Sequence, residues 1–216
     1  MSQPVDFYFD FISPYAYIGS TQIEALAARH GRTVNWRPVL IGVMVMKVMG
    51  LKPLPETPLK GDYLRHDGVR MAEIFGVPFK YHDLKGHNSL AACRAFLWLK
   101  RQDPALAVRF AHRIFKRLWV EGRDITQAEV VAEAAAALGV DTAALLAAIA
   151  SDTGKQALNE AMDHAIKVGA FGVPYFVADG EPLWGCDRLW MLEHWLAHGT
   201  WKGAGAAVLA KAAARP

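Results

Sequence analysis

The sequence predicts an α/β fold interrupted by a large all-helical insertion. Three observations carry that reading. The chain opens with a strand–helix–strand pattern, runs through a long alanine-rich helical block, and returns to a strand–strand–helix pattern near its end. Its 216 residues suffice for one domain with an insertion, or for two small domains sharing a chain.

The first strand spans Val5 to Phe11, an aromatic-rich run with partial alternation. It ends at Ile12-Ser13-Pro14, where Ser13 suits an N-cap and Pro14 the first helical position. The helix continues through Tyr17, Ile18, Ile23 and Leu26 and stops near His30-Gly31, and Thr33 to Val39 reads as the second strand. This is the pattern of a crossover unit. The segment from Leu51 to Leu59 contains Pro53, Pro55 and Pro58 and reads as an irregular loop.

Six helices are expected next: Tyr63 to Phe75, Leu90 to Arg101, Leu106 to Glu121, Gln127 to Leu138, Thr142 to Ala150 and Gly154 to Val168. Cap-type residues at Asp124 to Thr126, Asp141-Thr142 and Ser151 to Thr153 punctuate them. Strands return at Pro174 to Ala178 and Pro182 to Gly185, joined by a hairpin turn at Asp179-Gly180. Asp187 is expected to cap a last helix, Arg188 to Ala197, and the alanine-rich tail from Gly203 to Pro216 reads as a frayed helix. The outer pieces match a thioredoxin-like core. The expected division is a discontinuous thioredoxin-like domain, residues 1–42 and 168–216, around a helical insertion domain, residues 43–167.

Composition narrows the function classes. The chain is 53% hydrophobic and 21% charged, as folded proteins are. A net charge of +3 with scattered basic residues gives no footprint for nucleic acid. Cys93 and Cys186 are far apart and form no C-x-x-C pair, so neither a disulfide framework nor a metal site is expected. His66, His82, His112 and His164 show no ligand spacing. The start lacks a basic region followed by an apolar run, and no segment is apolar for the roughly 18 residues a span requires. The expected compartment is the cytoplasm, with no membrane partner.

Three segments carry the candidate chemistry. Ser13 lies at a strand-to-helix junction, where a dithiol enzyme on this fold keeps its attacking cysteine. Neither position 13 nor 16 is cysteine, so dithiol exchange is not available. A hydroxyl there can donate to the sulfur of a bound thiol. That charge-assisted bond and the helix dipole, each about 1 kcal/mol, would lower the thiol's pKa by about one to two units. Gly172-Val173-Pro174 precedes a strand, and a cis-proline there leaves the Val173 backbone free to pair with a peptide-like ligand. Asp187 and Arg188 open the last helix, where a carboxylate can accept from an ammonium and a helix N-terminus can hold a carboxylate.

The run Asp6-Phe7-Tyr8-Phe9-Asp10-Phe11-Ile12-Ser13-Pro14-Tyr15 is followed by Lys60-Gly61-Asp62-Tyr63-Leu64 and Glu121-Gly122-Arg123-Asp124-Ile125. Gly169-Ala170-Phe171-Gly172-Val173-Pro174 and Trp184-Gly185-Cys186-Asp187-Arg188 complete the series. From Asp6 to about Trp195, the arrangement resembles the family of 2-hydroxychromene-2-carboxylate isomerases and kappa-class glutathione transferases, relatives of the bacterial disulfide oxidoreductases. The resemblance implies a glutathione-dependent enzyme in which Ser13 holds the glutathione thiolate. It implies that Val173, beside cis-Pro174, pairs with the cysteinyl residue, that Asp187 and Arg188 hold the γ-glutamyl end, and that Lys60 lies along the glutathione. In such isomerases the thiolate adds to a side-chain double bond of an aromatic acid, the bond rotates, and the thiol leaves. Asn88 resembles an asparagine near the substrate, Lys47 is a candidate for the substrate carboxylate, and Tyr15 for the pocket wall.

Leu51 in Gly50-Leu51-Lys52-Pro53 departs from the pattern, since family members often place an asparagine there. The expected activity is cis–trans isomerisation of 2-hydroxychromene-2-carboxylate type, in the catabolism of aromatic hydrocarbons. A kappa-like glutathione transferase or peroxidase is the alternative, and a non-catalytic glutathione-binding protein the second. The expected partners are glutathione and a small aromatic or electrophilic carboxylate, in a homodimer by the same resemblance.

Overall fold

The computed structural model describes residues 3–82, 84 and 86–206. Strand β1 (Val5–Phe9) leads into α1 (Pro14–Arg29) and returns as β2 (Val34–Pro38), parallel to β1. Near the end, β3 (Tyr175–Ala178) lies antiparallel to β1, and β4 (Glu181–Trp184) antiparallel to β3. The sheet order is β2-β1-β3-β4. Asp179 and Gly180 have φ of 53° and 84°, the paired left-handed residues of a tight two-residue hairpin.

Between the two halves come α2 (Ile41–Val43), which runs into a π-helical turn (Met44–Val48), and a 3-10 turn (Leu54–Glu56). Six helices follow: α3 (Lys60–Ile74), α4 (Leu90–Gln102), α5 (Pro104–Trp119), α6 (Ala128–Ala136), α7 (Thr142–Ala150) and α8 (Asp152–Val168). A 3-10 turn (Cys186–Arg188) precedes α9 (Leu189–His198). Asp103, Asp141 and Ser151 cap α5, α7 and α8 by accepting from backbone N–H groups one turn on. Among the described residues, no helix is long and apolar enough to cross a membrane.

Three expectations are corrected. Strand β1 stops at Phe9 rather than Phe11, because the Asp10 side chain and carbonyl take the N–H groups of Ile12 and Ser13 and turn the chain. Helix α3 starts at Lys60, a turn early, with Gly61 and Tyr63 bonded back to Thr57 and Leu59. Asp187 does not cap α9. It lies inside the 3-10 turn, Arg188 takes the cap position, and no side chain bonds to that helix end. The expected helix in the tail falls, from residue 207 on, outside the described residues.

The core is built on aromatic rings of β1. Phe7 stacks on Phe176 of β3 at 5.4 Å and meets Trp36 of β2 edge-on at 4.9 Å. Phe9 meets Phe96 of α4 and Phe115 of α5, so the inserted helices pack directly on the sheet. All six rings are essentially removed from water, each side chain contributing about 2–3 kcal/mol of transfer free energy. On the same strand, Tyr8 sends its hydroxyl to His164 of α8, 3.1 Å away. Burial pushes that phenol up to about 12.

Candidate active site at the α1 N-terminus

Ser13 is the N-cap of α1, in extended backbone conformation (φ −96°, ψ 119°) and 8% exposed. Its Oγ accepts from the Ala16 N–H at 3.2 Å and donates to the Val173 carbonyl at 3.3 Å. Pro14 has no N–H. The Tyr15 N–H therefore remains the open donor of the first turn, with no acceptor among the described residues. No acidic residue lies in that turn, so the positive end of a 16-residue helix is uncompensated.

The Val173-Pro174 peptide bond is cis. Val173 and Pro174 are buried, and Pro174 lies against Gly19 of α1, where a β-carbon would sit 3.4 Å from its ring. The Val173 N–H has no acceptor among the described residues. At the preceding residue, Gly172, a β-carbon would lie 2.5 Å from the Trp184 indole nitrogen, so the bare glycine is what lets that ring lie against the loop. Trp184 in turn meets Phe171 edge-on at 4.9 Å, and both rings are about half exposed. The Gly185 N–H donates to the Pro174 carbonyl at 2.9 Å, which ties the 186–188 turn to the cis-proline loop.

In that turn Asp187 is exposed and its carboxylate pairs with Arg188 at 3.1 Å. The same guanidinium nitrogen donates to the Trp184 carbonyl at 2.9 Å. Cys186 is buried. Burial, together with the Asp187 charge, pushes its thiol up to about 12, so it is no thiolate at neutral pH.

Helix α3 forms the facing wall. Gly68 packs against Pro14, and the Tyr15 hydroxyl donates to Asp67 at 2.8 Å. Burial and that carboxylate both raise the Tyr15 pKa, so the phenol stays protonated. Asp67 also accepts from Tyr63 and Arg70. Lys60 starts the same helix, exposed, seven residues and thus about 10 Å along the axis from Asp67.

The fold thus brings Ser13, Tyr15, Val173 and Pro174 together, ties the Asp187–Arg188 pair to them through Gly185, and sets Lys60 on the flanking helix. Lys47 is exposed on the π-helical turn. Asn88 is exposed one residue ahead of Ser89, the N-cap of α4, and its side-chain oxygen accepts from the Leu90 N–H at 3.1 Å.

Two carboxylates emerge that sequence reasoning did not single out. Asp67 is one. The other is Asp10, fully buried three residues before Ser13. It accepts from the Ile12 N–H, the Ile41 N–H (2.7 Å) and the Ser89 hydroxyl (2.5 Å). Desolvation outweighs these bonds and lifts its pKa from 3.8 to about 6. An acid closing an aromatic strand is a visible signal for Asp10, whereas Asp67 has none beyond its spacing from Tyr63.

The sequence profile of the DSBA-like thioredoxin domain matches residues 4–197. The chain belongs to that family. Within it, this DSBA-like protein is 30% identical over 201 residues to a 2-hydroxychromene-2-carboxylate isomerase of Sphingobium xenophagum, covering 91% of this chain and 99% of the relative. It is 29% identical over 213 residues to glutathione S-transferase kappa 1 of Rattus norvegicus, covering 92% of each. A solved structure of a 2-hydroxychromene-2-carboxylate isomerase superposes with a TM-score of 0.80 at 28% identity, over 94% of this chain and 98% of that one.

Proposed function

We propose that this DSBA-like protein is a glutathione-dependent cis–trans isomerase of 2-hydroxychromene-2-carboxylate type. The observation that carries the reading is the Ser13 hydroxyl, poised at an uncompensated helix N-terminus and aimed at the carbonyl before a cis-proline. The isomerase relatives, similar over nearly the whole chain, support it.

The residues fit a tripeptide thiol. Val173 offers a free N–H beside its carbonyl, the main-chain pair an added peptide strand needs. Glutathione has two carboxylates and one ammonium. Arg188 and Lys60 are cations suited to the carboxylates, and Asp187 is an acceptor suited to the ammonium. When bound, glutathione would supply the thiolate nucleophile that adds to the substrate's double bond and later leaves it. Ser13 turns its hydroxyl from the Val173 carbonyl to the sulfur, and the Tyr15 N–H points its dipole at the same atom. Both favour the ionised thiol. Cis-Pro174 and the Trp184 ring hold the cysteinyl backbone in place.

The test follows the absorbance of 2-hydroxychromene-2-carboxylate as it interconverts with its open-chain trans isomer, with and without glutathione, for wild type and Ser13→Ala. The expected result is glutathione-dependent turnover that falls about five- to thirtyfold in the variant, as loss of about 1–2 kcal/mol of thiolate stabilisation requires. The rat relative favours a second reading, a kappa-like transferase or peroxidase. Bound glutathione with conjugation or peroxide reduction but no isomerisation would select it. Bound glutathione without any turnover would select a non-catalytic binding protein. Absence of glutathione binding would overturn all three.

A further inference from the structure

Helices α4, α7 and α8 enclose a cleft of about 390 Å³ that shares no residue with the Ser13 site. It exists because small side chains leave the gap between these helices unfilled. Ala144, Ala147 and Ala148 share one face of α7, and Ala157 lines the cleft from α8. A β-carbon at Gly154 would strike the Ala148 carbonyl, so glycine lets the end of α7 and the start of α8 close on each other. Arg94, Trp98 and Arg101 form the other wall, at the i, i+4 and i+7 spacing of one face of α4. They begin about 8 to 18 Å along that helix from Ser89, the residue that bonds Asp10.

The polar groups of this cleft are chiefly donors. Arg94 is half-buried, and its Nη1 donates to the Ile149 carbonyl at 2.9 Å, which fixes the plane of the guanidinium. Its Nε is buried and has no partner among the described residues. A buried donor without an acceptor is costly, so this edge of the guanidinium keeps its full capacity for an acceptor oxygen. Arg101 is exposed and has no ion-pair partner among the described residues. The Thr153 N–H, in the first turn of α8, is also open among them, because the Ser151 side chain accepts from Gly154 instead. Trp98 is half-buried and stacks on no other ring among the described residues. None of the lining residues is acidic, and Asp152, although next to Thr153 in the chain, is not part of the lining.

We propose that the cleft between α4, α7 and α8 binds a phosphate monoester carrying a flat ring. Two guanidiniums match the two charges of such a phosphate, and their planar forks match its oxygens. Arg94 is held in place, whereas Arg101, about 10 Å further along the helix axis, is free to swing to the same group from the far side of Trp98. The Thr153 N–H, at the positive end of a 17-residue helix, adds one more donor. The ring lies on Trp98 and on the bed of alanines, where short side chains leave room for a planar group. The volume is within the range of small-molecule sites, about 300–1,000 Å³. The site goes beyond the function proposed above and does not rest on it.

The test titrates the full chain with 1-naphthyl phosphate and with adenosine 5′-monophosphate at pH 8, read by calorimetry and by hydrogen exchange. Wild type should bind at least one of them, with protection over residues 94–101 and 144–157. The tighter of the two tells a nucleotide from a simple aryl phosphate, and either supports the site. Arg101→Gln removes a cation and Ala147→Leu fills the bed, both at exposed helix positions that leave the core intact. Each should lower the affinity about tenfold, and uncharged 1-naphthol should bind wild type about tenfold more weakly than its phosphate. No binding of either phosphate by wild type, affinity unchanged in both variants, or protection confined to other segments would overturn the proposal. Equal binding of 1-naphthol and its phosphate would overturn it too, by showing an apolar groove without an anion site.

Discussion

Asp10 ties stability to pH. Its carboxyl is fully buried, and burial outweighs three hydrogen bonds to lift its pKa from the usual 3.8 to about 6. In the unfolded chain it loses its proton near pH 4. In the native protein it keeps it to about pH 6. Between those values the native state binds more protons, so stability falls as pH rises through the window and is constant on either side. The rise of about two pH units corresponds to about 3 kcal/mol at 1.4 kcal/mol per unit. Asp10→Asn carries no titrating group and removes that slope. Urea unfolding of wild type and variant at half-unit steps from pH 3.5 to 7.5 reads the effect directly, because every other titrating group cancels in the difference. The wild type should lose about 2 kcal/mol relative to the variant as pH rises from 4 to 6, and close to 3 kcal/mol over the whole range. Parallel profiles would refute the reasoning and mean that the Ser89, Ile12 and Ile41 bonds compensate the charge in full.

Two further predictions concern the walls of the site. Gly172→Ala puts a β-carbon 2.5 Å from the Trp184 indole nitrogen. The half-exposed ring can swing outward, so the stability loss measured by thermal unfolding should be about 1 kcal/mol. Calorimetry should show weaker glutathione binding, since the displaced ring no longer holds the Val173 loop. Both thiols should be silent in the native state, because burial raises Cys93 well above its usual value and lifts Cys186 to about 12. An aromatic disulfide reagent at pH 8 should count no fast-reacting thiol in native protein and two in urea. A single native reactive thiol would show that the 186–188 turn opens.

The local signals in this sequence were legible. Ser13-Pro14 read as a cap and first helical position, Asp179-Gly180 as a hairpin, and the alanine-rich block as helices, because each rests on neighbours within one turn. Val173-Pro174 carried weight only when set beside Ser13 and Asp187. What escaped depends on distant partners. Asp10 meets Ile41 and Ser89 at separations of 31 and 79 residues, and no pattern around any of them announces the meeting. The helical turns between Ile41 and Val48 leave no mark in the sequence, because Met-Val-Met-Lys-Val has no amphipathic period once both faces are apolar. Asp187 suggests a cap by its residue type alone. A 3-10 turn starting at Cys186 moved the helix boundary past it.

The inserted helices hold the backbone that leads into Ser13. The residues immediately before Ser13 are held from the insertion side. Ser89, at the start of α4, bonds the Asp10 carboxylate, and the indole nitrogen of Trp119, at the end of α5, donates to the Phe11 carbonyl at 2.9 Å. Both contacts are buried, where a hydrogen bond lost from one partner strands the other at a cost of about 1–3 kcal/mol. From the opposite side, Ser13 itself is bonded to Val173, 160 residues away, and cis-Pro174 is bonded to Gly185. The hydroxyl therefore sits where two rigid supports meet, one from each half of the chain. The directional pull of the Val173 carbonyl is a reason for oxygen rather than sulfur at this position: a hydroxyl donates strongly to that carbonyl and keeps the loop and helix in register when no ligand is bound, whereas a thiol is a weak donor. The same donor is then free to turn to an incoming anion. A shift anywhere in α4 or α5 that moves Ser89 or Trp119 reaches Ser13 through two or three residues of buried backbone, so substitutions far out on the insertion should alter chemistry at a site they never touch.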